Sequence, residues 1–219
     1  KFRQYYEKKG EKLSVSAFII NCVGKAVSEN KRVHALRKNR RKLVVFDDID
    51  IATIVERKIK DESWPILYVI RSVDKRSLKE IHKEIRKAQV SEEIIDDFQK
   101  LVDFYLKFPR PLRYFVRNWV QKNPKVTKNY AGSVLITSVG ITALNGGWGI
   151  PFVGHPLVIT IGGIEKKPKV IKDRIEIREC INLTLTFDHD NLDGAPAARF
   201  TAELKELIEN GYGLEEMVN

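Results

Sequence analysis

The strongest constraint on this chain is its repeated switch of hydrophobic period, between 3.6 residues and two, along 219 residues. "SVSAFIINCVGKAVSEN" places apolar side chains at helical spacing behind Ser14, whose hydroxyl can accept from an otherwise unpaired N–H of the first turn. "RKLVVFDDIDIATIVERKI" is rich in Val and Ile and reads as strands broken near Asp47 and Asp48. "SWPILYVIRSVDKRS" reads as a buried strand. Pro65 has no N–H to give a ladder, which places the strand start there. Ser77 and Glu80 frame a capping box that opens the helix "SLKEIHKEIRKAQ", and "SEEIIDDFQKLVDFYLKF" follows as a second helix. Strands return at "GSVLITSVG", "HPLVITIGGI" and the pair around "KPKVIKDRIEIRECINLTLTF", and a helix from about Ala195 to Asn210 ends the pattern. No long linker, repeat or low-complexity segment interrupts it. Residues 1–219 therefore read as one mixed α/β domain.

Composition narrows the function classes. A hydrophobic fraction of 43% beside 31% charged residues describes a soluble globular chain. No apolar run is long enough to span a membrane, and the opening "KFRQYYEKKGEK" is no signal peptide. Cys22 and Cys180 lie in apolar segments without framework spacing, so both are expected to be core hydrophobes in a reducing, cytoplasmic setting. The net charge of +10 is concentrated in "KRVHALRKNRRKL", Lys31 to Leu43. Such a run suits nucleic acid, an anionic membrane or a phosphorylated ligand. It carries no interleaved aromatics, zinc-finger spacing or helix-turn-helix signature, so no nucleic-acid partner is expected and the run reads as a solvated turn between two strands. In "LKFPRPLRYFVRNWVQKNPK", Phe108, Leu112, Phe115, Val116, Trp119 and Val120 share one helical face beside Arg110, Arg113, Arg117 and Lys122. That face is expected to pack on its own domain or on a neighbouring subunit; the sharper alternative is an interfacial helix that touches a membrane or gates a greasy substrate.

One polar turn does not fit a plain scaffold. The alternating strand "NLTLTF" runs into "DHDNLDG", where His189, Asp193 and Gly194 spell His-x-x-x-Asp-Gly. The composition gives roughly 0.013 chance matches to that pattern, which is uncommon without being decisive. A neutral imidazole at a strand end can accept a proton near pH 7. A carboxylate four residues on can hold the turn by hydrogen bonds, and glycine permits a tight backbone path. His34, His82 and His155 have no ligand spacing, so no metal is expected.

The flanks carry a resemblance. "LTLTFDHDNLDGAPAARFTAELKELIEN" resembles the C-terminal signature of dihydrolipoamide acyltransferases, the catalytic subunits of 2-oxo acid dehydrogenase complexes. "VIRSVDKRSLKEIHKEI", "GSVLITSVGITALNGGWGIPFVGHPLVITIGGIEKKP" and "SVSAFIINCVGKAV" are similar to other segments of that family, in the right order, leaving out Val90 to Asn129. The resemblance implies the chloramphenicol acetyltransferase-like fold (a mixed sheet covered by helices), a homotrimer, an active site between subunits, and coenzyme A as cosubstrate. It implies His189 as general base toward a thiol or hydroxyl acceptor, Thr137 as donor to the oxyanion and Asp193 as the residue fixing the loop. Ser138 takes the place of Thr137 if the register shifts by one.

Three departures accompany it. Asp190 stands where the family usually has an arginine, which changes the charge beside the histidine. The usual first helix and strand upstream of Lys1, a lipoyl domain and a peripheral-subunit-binding segment have no counterpart in the sequence. "GYGLEEMVN" lacks the apolar ending that helps large complexes assemble, so a stand-alone trimer is expected. The alternative is a catalytically reduced relative acting as a scaffold or partner-binding subunit.

Overall fold

The computed structural model describes residues 13–59, 62–90, 104–139, 146–151 and 154–217. A first helix, α1 (Val15–Glu29), is capped by Ser14, whose Oγ accepts from the N–H of Ala17. A short hairpin of β1 (Leu36–Asn39) and β2 (Lys42–Val44) follows, then β3 (Ile51–Ile59) and β4 (Glu62–Ile70). Helix α2 (Leu78–Val90) opens on the expected capping box, with the Ser77 N–H and hydroxyl donating to Glu80 Oε2. Helices α3 (Arg110–Lys122) and α4 (Pro124–Ala131) lead to β5 (Val134–Ser138), β6 (Leu157–Ile171), β7 (Arg174–Phe187) and α5 (Gly194–Asn210). The expected second helix falls mostly on residues 91–103, outside the described residues.

The main sheet has the order β4-β3-β5-β6-β7 and is mixed. β5 runs parallel to both neighbours, whereas β3/β4 and β6/β7 are antiparallel hairpins. Alternation along each strand divides its side chains between two faces. Ile51, Val134, Ile136, Leu157, Ile159 and Ile161 pack against α1, α2 and α5 in one buried core that includes Phe18, Ile81 and Phe200. Ala52, Leu135 and Val158 form a smaller cluster on the opposite face.

Four sequence expectations are revised. β4 begins at Glu62, so Pro65 lies inside a strand; it is tolerated because β4 is the sheet edge. "HPLVITIGGI" and the first half of the following pair are one 15-residue strand, continued past a register shift between Ile161 and Ile164. Cys22 is buried as expected, but Cys180 is only half-buried on the long β6/β7 hairpin beyond the core. The basic run is only half a solvated turn, because Val33, His34, Ala35 and Leu36 are buried. Among the described residues no helix is long and apolar enough to cross a membrane.

A buried polar junction fastens the strand starts. Asp50, just before β3, accepts from Lys128 Nζ at 2.7 Å, Arg71 at 2.9 Å and the Ser72 N–H at 3.0 Å. Burial pushes its carboxyl up, but these hydrogen bonds outweigh burial and the net shift is downward. Gly132, with φ +67°, brings the chain back from α4, where a Cβ would stand 2.8 Å from Ala52 N and Asp50 O. The fully buried His34 bonds through Nδ1 to Ser133 Oγ at 2.8 Å, tying the basic hairpin to the foot of β5.

Burial, reinforced by the Lys128 ammonium, lowers the His34 pKa from 6.5 to about 4. The unfolded chain therefore takes up a proton near pH 6.5 that the folded chain refuses until about pH 4, so stability falls as pH drops through this window. Urea unfolding at pH 7 and pH 5 should show roughly 2 kcal/mol of such loss. His34→Gln should lack this component.

Candidate active site

His189 lies in the turn between β7 and α5, and both flanks are anchored. On the strand side, the Phe187 ring packs edge-on against Phe200 at 5.8 Å, and the Asp188 N–H donates to Pro156 O at 2.9 Å. On the helix side Asn191 and Leu192 are buried, at 3% and 4% exposure, and plug the turn into the body of the protein. Their N–H groups both donate to Asp188 O, and the Asp190 N–H donates to Asp188 Oδ1 at 3.0 Å. This Asx-type turn explains the acidic sequence locally: a short carboxylate satisfies a backbone donor two residues on. Between the anchors His189 is left exposed, and its ring makes no hydrogen bond among the described residues.

The loop is also held from the basic hairpin. Asn191 Nδ2 donates to Ala35 O at 3.1 Å, a buried bond. Arg37 forks onto Asp190, with Nη1 2.8 Å from Oδ2 and Nη2 3.1 Å from the carbonyl oxygen. Asp193 is the N-cap of α5; its carbonyl accepts from Ala197 N, while its carboxylate makes no capping hydrogen bond. Sequence reasoning missed Arg37, Ala35 and Asn191. The basic run was visible, but nothing local says which of its arginines faces a turn some 150 residues later.

Thr137 and Ser138 project from opposite faces of β5. Ser138 lies on the face shared with Val134 and Ile136, which the helices cover, and its Oγ is buried with no partner among the described residues. Thr137 lies on the other face with Leu135 and is half-buried. The register runs Thr137 to Thr160 to Thr184, so His189 is two strands across and five residues farther along from Thr137. That is roughly 10 Å across the sheet and roughly 15 Å along it. One chain does not bring His189 and Thr137 together.

On α3, Phe115 and Trp119 are 67% and 59% exposed, and Leu112 is also exposed, whereas Val116 and Val120 are half-buried. The expectation of a face packed on its own domain holds for only part of it. His82 Nδ1 accepts from Ser14 N and His155 Nε2 bonds to Ala131 O, which makes both structural. Among the described residues no group of three or more His, Cys, Asp or Glu could hold a metal ion.

Residues 121–215 match the family model for the 2-oxoacid dehydrogenases acyltransferase (catalytic domain). Over these residues, fewer than half of the 219, the chain is similar to that family. The acetyltransferase component of the pyruvate dehydrogenase complex of Rickettsia prowazekii is 23% identical over 95% of this chain and 43% of its own length. That of Acholeplasma laidlawii is 29% identical over 45% and 18%. The chain thus spans less than half the length of these curated relatives. Among solved structures, a probable dihydrolipoamide acetyltransferase from Listeria monocytogenes superposes with a TM-score of 0.62 at 22% identity, covering 98% of this chain and 75% of that one. The Azotobacter vinelandii dihydrolipoamide acetyltransferase gives 0.64 at 20% identity, covering 99% and 76%. That protein was studied for the role of a serine, a histidine and an asparagine in its catalytic mechanism. The shared fold is the mixed sheet covered by helices that the sequence led one to expect.

The loop anchorage is directly testable. Asn191→Ala leaves the buried Ala35 carbonyl without its donor and should cost about 1–2 kcal/mol in chemical denaturation.

Proposed function

We propose that this chain is a coenzyme A-dependent acyltransferase domain that works as a homotrimer, with His189 as general base and Thr137 as oxyanion donor. The observation that carries this reading is an exposed, rigidly anchored histidine standing two strands away from a half-buried threonine of the same chain, an arrangement that a second copy could complete. The spacing adds support. In the Azotobacter vinelandii protein the serine precedes the histidine by 52 positions and the asparagine follows it by four. Thr137, His189 and Asp193 have the same two intervals, with Thr for Ser and Asp for Asn. This also favours Thr137 over Ser138, whose hydroxyl sits on the helix-covered face.

In the proposed reaction His189 takes the proton of an acceptor thiol as its sulfur attacks the thioester carbonyl of acyl-CoA. The carbonyl carbon becomes tetrahedral and its oxygen carries the negative charge. Thr137 of a neighbouring copy donates its O–H to that oxygen. Collapse breaks the bond to the coenzyme A sulfur, and the imidazolium returns its proton to the departing thiolate. Atoms and protons balance without a covalent enzyme intermediate. The acceptor class proposed is a dihydrolipoyl thiol, after the names of the relatives. Asp193, at the helix N-cap, keeps the loop's exit direction.

The test is acetyl transfer from acetyl-CoA to dihydrolipoamide, with the oligomer followed by light scattering. His189→Ala should lower kcat by about 10²–10⁴-fold while the trimer persists. Thr137→Val should lower it by about 10²–10³-fold, and Thr137→Ser should keep most of it. Unchanged turnover in His189→Ala would overturn the base assignment, and a monomer with full activity would overturn the shared site.

A further inference from the structure

We infer that Arg37 is a positioning residue for His189, acting through Asp190; this rests on the base assignment above. Three carboxylates, Asp188, Asp190 and Asp193, stand within four residues of the histidine. Asp188 is used inside the turn, as acceptor of the Asp190 N–H, and Asp193 begins the helix. Asp190 points outward, and Arg37 meets it twice, at the carboxylate and at the main-chain carbonyl. The second contact matters most. The Asp190 carbonyl belongs to the residue directly after His189, so a donor fixed on it restricts rotation of the chain that aims the imidazole. Arg37 is itself held, because Ala35 is locked to Asn191 and His34 to Ser133 at the foot of the strand bearing Thr137. Hydrogen bonds at either end of the short His34–Arg37 segment thus join the β5 foot to the histidine turn.

Magnitudes separate this role from a contribution to stability. The side chains of Arg37 and Asp190 are 37% and 70% exposed. An ion pair this open adds little to folding, because water screens both charges. A catalytic group displaced by 1 Å, by contrast, can lose about 100-fold in rate. Arg37 therefore matters little to whether the chain folds and much to where His189 points.

The experiment is a charge-reversal cycle on the whole chain: Arg37→Asp, Asp190→Arg and the double variant, assayed with acetyl-CoA and dihydrolipoamide. Each single change should lower kcat at least about tenfold, with KM within about twofold and the urea midpoint near wild type. The double variant restores the ion pair but not the donor to the main-chain carbonyl of residue 190, so it should recover part of the lost kcat, at least about threefold above either single variant. Hydrogen exchange supplies a readout independent of turnover. The amides of Asp190, Asn191 and Leu192 should exchange faster in each single variant and regain protection in the double. Single variants with wild-type kcat and unchanged exchange would overturn the inference, as would a double variant no better than the singles. If His189→Ala is inactive while the Arg37 and Asp190 variants are fully active, this inference alone fails. If His189→Ala keeps wild-type turnover, the base assignment fails with it.

Discussion

A single buried carboxylate organises the middle of the molecule. Asp50 sits where β3 begins, and it gathers Lys128 from α4, Arg71 and the Ser72 N–H from the end of β4. Its own carbonyl receives the Ser133 N–H at the start of β5. Charges taken out of water are tolerated only when paired and hydrogen-bonded, so this junction admits one arrangement of the three chain segments that meet there. Ser72, held at φ 49° without being glycine, shows how firmly the surroundings dictate the backbone at that point. The parallel register of β5 beside β3 follows from the junction, and with it the position of Thr137.

The histidine turn depends on that frame at one remove. Asp50 places Ser133, Ser133 holds His34, and His34 leads through Ala35, which grips the turn at Asn191, into the short hairpin whose Arg37 grips it at Asp190. Burial decreases along this line, from the interior at Asp50 to the exposed Asp190. Such a gradient suits a site built on a rigid scaffold and open at its tip to a substrate or a neighbouring subunit.

Some elements were legible because their signals are local. The Ser14 cap, the Ser77–Glu80 box and the alternation of "VLITS" each act within a few residues, and each appears where the pattern puts it. The His-x-x-x-Asp-Gly turn was legible for the same reason, since a strand end, a turn and a helix start adjoin in sequence. Pro65 misled because a proline excludes only one ladder hydrogen bond, and edge position is a property of the whole sheet. Cys180 misled because an apolar alternating strand can run beyond the core it started in, as β6 and β7 do. The basic run was read by composition, which reports charge and not direction.

By itself the amino-acid order determined the elements, the two-faced strands and a histidine delivered to the end of one of them, because periodicity, caps and turn chemistry are written in neighbouring residues. Only the tertiary structure decided which arginine answers Asp190, and that Thr137 and His189 stand on well-separated parts of one sheet. Those are matters of strand order and register, set by buried charge pairing and core packing between residues far apart in the chain.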